Sequence, residues 1–234
     1  MNKEQLDSYI TFAKDKLNVN FKDINLLIIA LTHRSYVNEH KKSATDHNER
    51  LEFLGDAVLE LVATDFLYAT YNEPEGVLTN WRAALVRTES IGAAADKLGF
   101  LPLIRMSKGE KHGSDRAHQV IMADAFEAVI GAIYLDQGYP AAAKFIEDNI
   151  LSKMDTILAE GSWRDPKSHL QELAQRADNK TPIYKVLKED GPDHDKTFTV
   201  GAYVGPKLKG TGTGHSKQEA QVRAAEHAIQ KYTK

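Results

Sequence analysis

The chain has 234 residues, 42% of them hydrophobic, and no cysteine. That length holds one large domain or two ordinary ones, and the composition is that of a folded protein rather than a disordered one. The missing thiols exclude disulfides and thiolate metal sites and fit a reducing, cytoplasmic setting. A net charge of −3 conceals an asymmetry: residues 1–162 carry 17 Lys and Arg against 24 Asp and Glu, while residues 163–234 carry 13 against 9. An acidic body with a basic tail can divide cation and polyanion binding between its parts, or can be ordinary variation between two domains. The apolar stretch Ile24–Leu31 is far too short to span a bilayer, and no basic start leads into a cleavable apolar segment. Neither a membrane partner nor a signal peptide is expected.

The first part reads as helical. Leu6, Tyr9, Ile10, Ala13 and Leu17 recur at a spacing near 3.6, and further periodic stretches cover about 23–32, 48–71, 77–98, 119–135 and 140–158. Turn chemistry separates them at 72–76, 99–102, 109–113 and 136–140. The segment 161–165 reads as a linker, with Asp165-Pro166 as the N-cap and first residue of the next helix. Beyond it the order is α-β-β-β-α: a helix over 167–177, strands over 183–189, 197–205 and 207–214, and a helix over 216–232. In the second strand Phe198, Val200, Ala202 and Val204 share a face. The last helix lines one face with Ala220, Ala224, Ala225, Ala228, Ile229 and Tyr232. The expected fold is thus a mainly α domain over 1–160 and an α+β domain over 166–234.

Two apolar helices carry carboxylates that nothing nearby neutralises. The run VIMADAFEAVIGAIYL (120–135) has only two charges, Asp124 and Glu127, and no Lys or Arg occurs between Arg116 and Lys144. Three residues apart, the two share a helical face. In NERLEFLGD (48–56), Glu49, Glu52 and Asp56 fall within about 60° of one face. Like charges four apart cost roughly 0.2–0.5 kcal/mol, and Gly55 within the helix costs about 1 kcal/mol relative to Ala. Glycine there lets another backbone come close. Acidic pairs also decorate solvated helix faces, and Glu60 continues this one as plain surface. Two such pairs in apolar helices favour a site for Mg²⁺ or Mn²⁺, ions that activate water and stabilise the attacking and leaving oxygens of a phosphoryl displacement.

The stretches LTHRSY (31–36), HNERLEFLGD (47–56) and MADAFEAVIGAIYLDQG (122–138) resemble ribonuclease III, and the resemblance extends over nearly the whole chain. It implies that Glu52, Asp56, Asp124 and Glu127 ligate Mg²⁺ (or Mn²⁺ in its place), with Asp56 and Glu127 the catalytic positions. It places Glu49 and Glu75 near the scissile strand. It also implies a homodimer in which Phe53 packs into the partner's helices. Phe53 lies about 100° round the helix from Glu52, so the two face different surroundings, but from the residues alone an ordinary core phenylalanine is the preferred reading. His33 reads as structural. No histidine pair has metal spacing, and no serine or cysteine nucleophile motif is present.

The tail resembles a double-stranded RNA-binding domain, which reads A-form shape and phosphates rather than sequence. Ser168, Gln171 and Gln175 form a polar stripe for 2′-hydroxyls, His194 sits at a turn tip, and Ser216 and Lys217 open the last helix, where free N–H groups favour phosphate. Similar domains usually place a KKxAK-like cluster there. Here Lys217 stands with Gln218 and Gln221, which implies weaker binding and a shallower salt dependence, partly offset by Lys207 and Lys209. The loop 108–116, with Lys111 and Arg116, resembles a further RNA contact and reads equally as a surface loop.

The resemblance implies a cytoplasmic, Mg²⁺-dependent endoribonuclease that processes ribosomal and other structured RNA precursors. Both strands of duplex RNA would be cut to 5′-phosphate and 3′-hydroxyl ends. The rivals are a duplex-RNA-binding regulator that does not cut and a ribosome-associated structural protein. Either would be free to lose the four carboxylates.

Overall fold

The computed structural model describes residues 2–41, 46–161, 163–192 and 196–232. They fall into two compact units divided after Trp163.

The first unit is helical: α1 (Lys3–Asp15), α2 (Ile24–Ala30), α3 (Arg34–Glu39), α4 (Glu49–Thr70), α5 (Glu75–Val86), α6 (Thr88–Leu98), α7 (Lys108–Lys111), α8 (Asp115–Gln137), α9 (Tyr139–Asn149) and α10 (Met154–Glu160), with single 3-10 turns at Leu101–Leu103 and Leu151–Lys153. Helix starts follow the expected chemistry. Asn2 and Gln5 form a reciprocal capping box on α1, and Ser107 and Ser114 cap α7 and α8. The single helix expected over 77–98 is two helices. Arg87 breaks it with an extended backbone, φ −66° and ψ 148°. The reason is tertiary: α5 turns Trp81, Ala84 and Leu85 inward and packs on α4, whereas α6 turns Ile91, Ala94 and Ala95 inward and packs on α8. The stretch 140–158 is likewise divided, at Ile150.

α8 runs through the centre of the unit, against α2, α4, α6 and α9. It is long and apolar enough to cross a membrane by length and composition, but 61% of that window is buried inside the unit. Its closest neighbour is α4, and the approach is set by two glycines. A Cβ on Gly55 would overlap the Glu127 carbonyl oxygen and lie 2.9 Å from the Gly131 nitrogen, and one on Gly131 would overlap the Leu51 carbonyl oxygen. The helices therefore meet backbone to backbone, which accounts for a glycine in the interior of each.

The second unit comprises α11 (Pro166–Asp178), β1 (Pro182–Asp190), β2 (Thr197–Val204), β3 (Lys207–Gly214) and α12 (Lys217–Ile229). The sheet is antiparallel in the order β1-β2-β3, with Val186 opposite Val200 and Val200 opposite Gly212. The expected α-β-β-β-α order and inward faces are present: Val200, Ala202 and Val204 join Leu170, Ala220, Ala224, Ala225 and Ala228 in a small core. α12 lies almost in contact with β3, because a Cβ on Gly210 or Gly212 would strike the α12 backbone.

Gly131→Ala forces α4 and α8 apart and is expected to lower stability by at least about 1–3 kcal/mol in urea unfolding. Gly76→Ala, where a Cβ meets nothing within 4 Å, is expected to leave stability unchanged. Equal behaviour of the two variants would contradict the backbone contact.

Candidate functional site

The start of α4 is held in place from two sides. The Asn48 N–H donates to the Thr32 carbonyl at 2.9 Å, and the Glu52 N–H donates to the Asn48 carbonyl at 2.9 Å. Thr32 is fully buried, and its Oγ1 accepts from Arg105 Nε at 2.9 Å and Nη2 at 2.6 Å. The Arg105 guanidinium also lies 4.9 Å from the centre of the Tyr36 ring. His33 caps α3 with its own ring: Nδ1 accepts the Ser35 N–H at 3.3 Å, and Ser35 Oγ lies 2.7 Å away. The stretch 31–36 thus ties α2, α3, α4 and the 104–107 segment into one frame.

Glu52, Asp124 and Glu127 are half-buried where α4 crosses α8, and Asp56 is exposed beside them. Among the described residues no Lys or Arg pairs with any of the four, and none of their side chains makes a hydrogen bond. Burial first, then repulsion from Asp56, Glu52, Asp124 and Glu60, raises Glu127 from an ordinary 4.5 to about 8. Burial, then Asp124, Glu49 and Asp56, raises Glu52 to about 7. Burial also raises Asp124, with His33 acting in the opposite direction. In each of the three the environment shifts the balance towards the neutral form relative to a free carboxyl, the opposite of the shift a salt bridge produces. The four form one electrostatic group. As placed, no three His, Asp or Glu side chains among the described residues converge closely enough to hold a metal ion. The donor chemistry is nevertheless that of a hard cation: all oxygen, all anionic, none already spent on a protein cation.

The remaining acidic positions separate. Glu49 opens α4, pairs with Arg34 at 3.3 Å, lies 3.8 Å from His47, and acts on Glu52. Glu75 is exposed at the start of α5 and is not among the charges acting on Glu52, Asp124 or Glu127. Glu60 is more than plain surface: Arg82 from α5 pairs with it at 2.9 Å and also bonds Thr64 Oγ1 at 2.8 Å. No spacing rule reveals that pair, since its members lie 22 residues apart on different helices. The influence of His33 on Asp124 is hidden from a linear reading for the same reason.

Phe53 is not a core residue. It is 82% exposed and, with Leu61 and Tyr68, gives α4 an apolar outer stripe. Beside it opens a cavity of about 640 Å³ lined by Leu26, Ile29, Leu51, Leu54, Leu135 and Phe53 itself, and also by Asp46, His47, Glu49 and Arg50.

In the second unit Ser168, Gln171 and Gln175 are all exposed on one side of α11. Ser168 donates from Oγ to Asp165, and Gln175 donates to Asn179. His194 lies outside the described residues. Ser216 caps α12 by accepting the Glu219 N–H at 3.1 Å, and the Glu219 carboxylate takes the His215 N–H at 2.8 Å. Lys217 pairs with Glu189 at 3.1 Å and sits 5.3 Å from the Phe198 ring centre. Lys209 lies 3.7 Å from Asp178. The start of α12 thus already has internal anionic partners. α7 and the loop after it are anchored: the Ser107 N–H donates to Ser35 Oγ at 3.0 Å, and His118 Nε2 lies 2.9 Å from the Glu110 carbonyl.

The raised carboxyls have a thermodynamic signature. Between about pH 4.5 and 8 the folded chain holds protons that the unfolded chain has released, so this contribution to stability falls as pH rises through the window. In EDTA, Glu127→Gln is expected to gain melting temperature over wild type increasingly from pH 5.5 to 8. A difference that stays constant with pH would contradict the shift.

Comparison with known proteins gives the lineage. A Ribonuclease-III-like family model matches residues 23–154 and a double-stranded RNA binding motif matches 166–232. Ribonuclease 3 of Enterococcus faecalis is 46% identical over 220 residues, 94% of this chain and 95% of that protein, and ribonuclease 3 of Desulforamulus reducens is 43% identical over 96% and 92%. A solved nuclease domain of ribonuclease III from Campylobacter jejuni, described as flexible in a region involved in dimer formation, is 42% identical with a TM-score of 0.53. The match covers 63% of this chain and 98% of that one. With a helical nuclease unit, an α-β-β-β-α unit and relatives of this closeness along almost its whole length, the chain belongs to the ribonuclease III family of endoribonucleases.

Proposed function

We propose that this endoribonuclease cuts both strands of duplex RNA in a Mg²⁺-dependent hydrolysis that leaves 5′-phosphate and 3′-hydroxyl ends. Mn²⁺ serves in place of Mg²⁺, and the substrates are ribosomal and other structured RNA precursors in the cytoplasm. The observation that carries the reading is the group of four carboxylates with no protein cation at the α4–α8 crossing. Glu52, Asp56, Asp124 and Glu127 are the residues that would hold the ion. A divalent cation there would supply Lewis acidity and stabilise the negative charge that builds on the phosphoryl and leaving oxygens. Glu127, deepest in repulsion, and Asp56, open to solvent, are the catalytic positions. Glu49 and Glu75 border the scissile strand, where Arg34 keeps Glu49 oriented. Residues 166–234 grip the duplex through Ser168, Gln171, Gln175, His194, Ser216 and Lys217, and residues 161–165 link them to the nuclease unit of 1–160.

Glu127→Gln removes one charge and little volume. It is expected to abolish cleavage of a duplex RNA in Mg²⁺ while leaving binding of that RNA intact. Wild-type cleavage should stop in EDTA. Normal turnover by the variant would overturn the site.

The dimer belongs to the same reading. An exposed aromatic beside an apolar cavity on the same helix is self-complementary, as a two-fold interface requires. Because Phe53 contributes almost nothing to its own core, Phe53→Glu is expected to leave the melting temperature within a few degrees of wild type. Light scattering should find a monomer, with cleavage strongly reduced. A variant that remains dimeric would remove Phe53 from the interface.

A further inference from the structure

The lysine at the head of α12 is tied to Glu189, and the residues at 218 and 221 are glutamines. A different cation occupies that neighbourhood. Lys167, in the first turn of α11, reaches across to α12 and donates from Nζ to Gln221 Oε1 at 2.9 Å. The same Nζ lies 5.2 Å from the centre of the Tyr184 ring. Among the described residues no carboxylate pairs with it. An ammonium has three donors, so two remain for a ligand. They border a cavity of about 360 Å³ between the starts of α11 and α12, lined also by Ser168, Gln171, Gln218 and Asp165. Asp165 is already committed, its Oδ1 accepting both the N–H and the hydroxyl of Ser168 at 2.9 Å.

Three lysines of this unit contrast with it. Lys188 is bound to Asp190 at 2.7 Å, Lys209 lies near Asp178, and Lys217 is bound to Glu189. Lys167 adjoins the exposed polar stripe on one side and the start of α12 on the other. Among the described residues its only hydrogen-bonded side-chain partner is a neutral amide. An acidic residue at 221 would cancel its charge; glutamine orients it and leaves the charge available.

We propose that Lys167 is a backbone-phosphate contact for duplex RNA, supplying from α11 positive charge that α12 lacks at 218 and 221. The proposal rests on the reading of this unit as a duplex-RNA binder. Each phosphate neutralised by a cation steepens the salt dependence of binding by about 0.9 in log K against log salt. A lysine that only ties two helices together contributes nothing to that slope.

The test is fluorescence anisotropy of a labelled RNA duplex with the full chain in EDTA, over a series of KCl concentrations. Wild type, Lys167→Gln and Gln221→Glu are compared, with a thermal melt of each. Lys167→Gln is expected to flatten the slope by about 0.9. Gln221→Glu leaves the lysine in place but gives it a carboxylate, and is expected to flatten the slope similarly while the melting temperature holds or rises. Unchanged slopes in both variants, with wild type binding normally, would overturn the assignment of Lys167 and spare the RNA-binding reading. A lower melting temperature for Lys167→Gln with an unchanged slope would make the residue a structural tie and also overturn it. Absence of duplex binding by wild type would overturn the underlying reading instead.

Discussion

The contact on which the nuclease unit depends is the glycine-to-backbone crossing of α4 and α8. Gly55 lies against the carbonyl of Glu127, and Gly131 lies against the carbonyl of Leu51. That reciprocity fixes two things at once. It sets the separation of the helices, and it places a residue of the acidic group within the contact, since Glu127 is itself the residue Gly55 touches. Glu52 and Asp124 lie one turn or less from the same crossing. The geometry of the charges is therefore a property of main-chain packing rather than of loops. The site cannot be widened or narrowed without disturbing the largest core of the molecule.

That arrangement explains why the charges are tolerated. Four carboxylates held together without a cation partner cost stability, and the raised Glu52, Asp124 and Glu127 carboxyls record that cost. The surrounding apolar packing carries it. Protein cations stand near but not on the group. Arg34 engages Glu49 at one end and Arg82 engages Glu60 at the other, bounding the acidic strip along α4 while leaving its middle uncompensated. The frame around residues 31–36 and Arg105 supports the arrangement by fixing where α4 begins.

Much of this was legible in the sequence because local rules sufficed. Apolar periodicity marked most helices. Asp165-Pro166 announced α11. Alternation and glycines marked the strands, and the isolation of Asp124 and Glu127 in an apolar run marked the candidate site. Two kinds of feature were not legible. The break at Arg87 has no proline or glycine to signal it, because it exists so that α5 and α6 can face different partners. Phe53 looked like any core aromatic, since a linear pattern cannot tell a side chain facing its own domain from one facing outward. Long-range pairs such as Glu60 with Arg82, and Lys167 with Gln221, leave no trace in spacing at all.

The central position of α8 also bears on how the enzyme can move. Local opening in a protein begins where backbone hydrogen bonds are exposed and apolar contacts are few. α8 has the reverse character from Ile121 to Ile133, with helices on several sides and glycine-tight contact to α4. Its amides are therefore expected to be among the slowest of the unit to exchange with solvent, so the backbone beneath Asp124 and Glu127 shares the stability of the core.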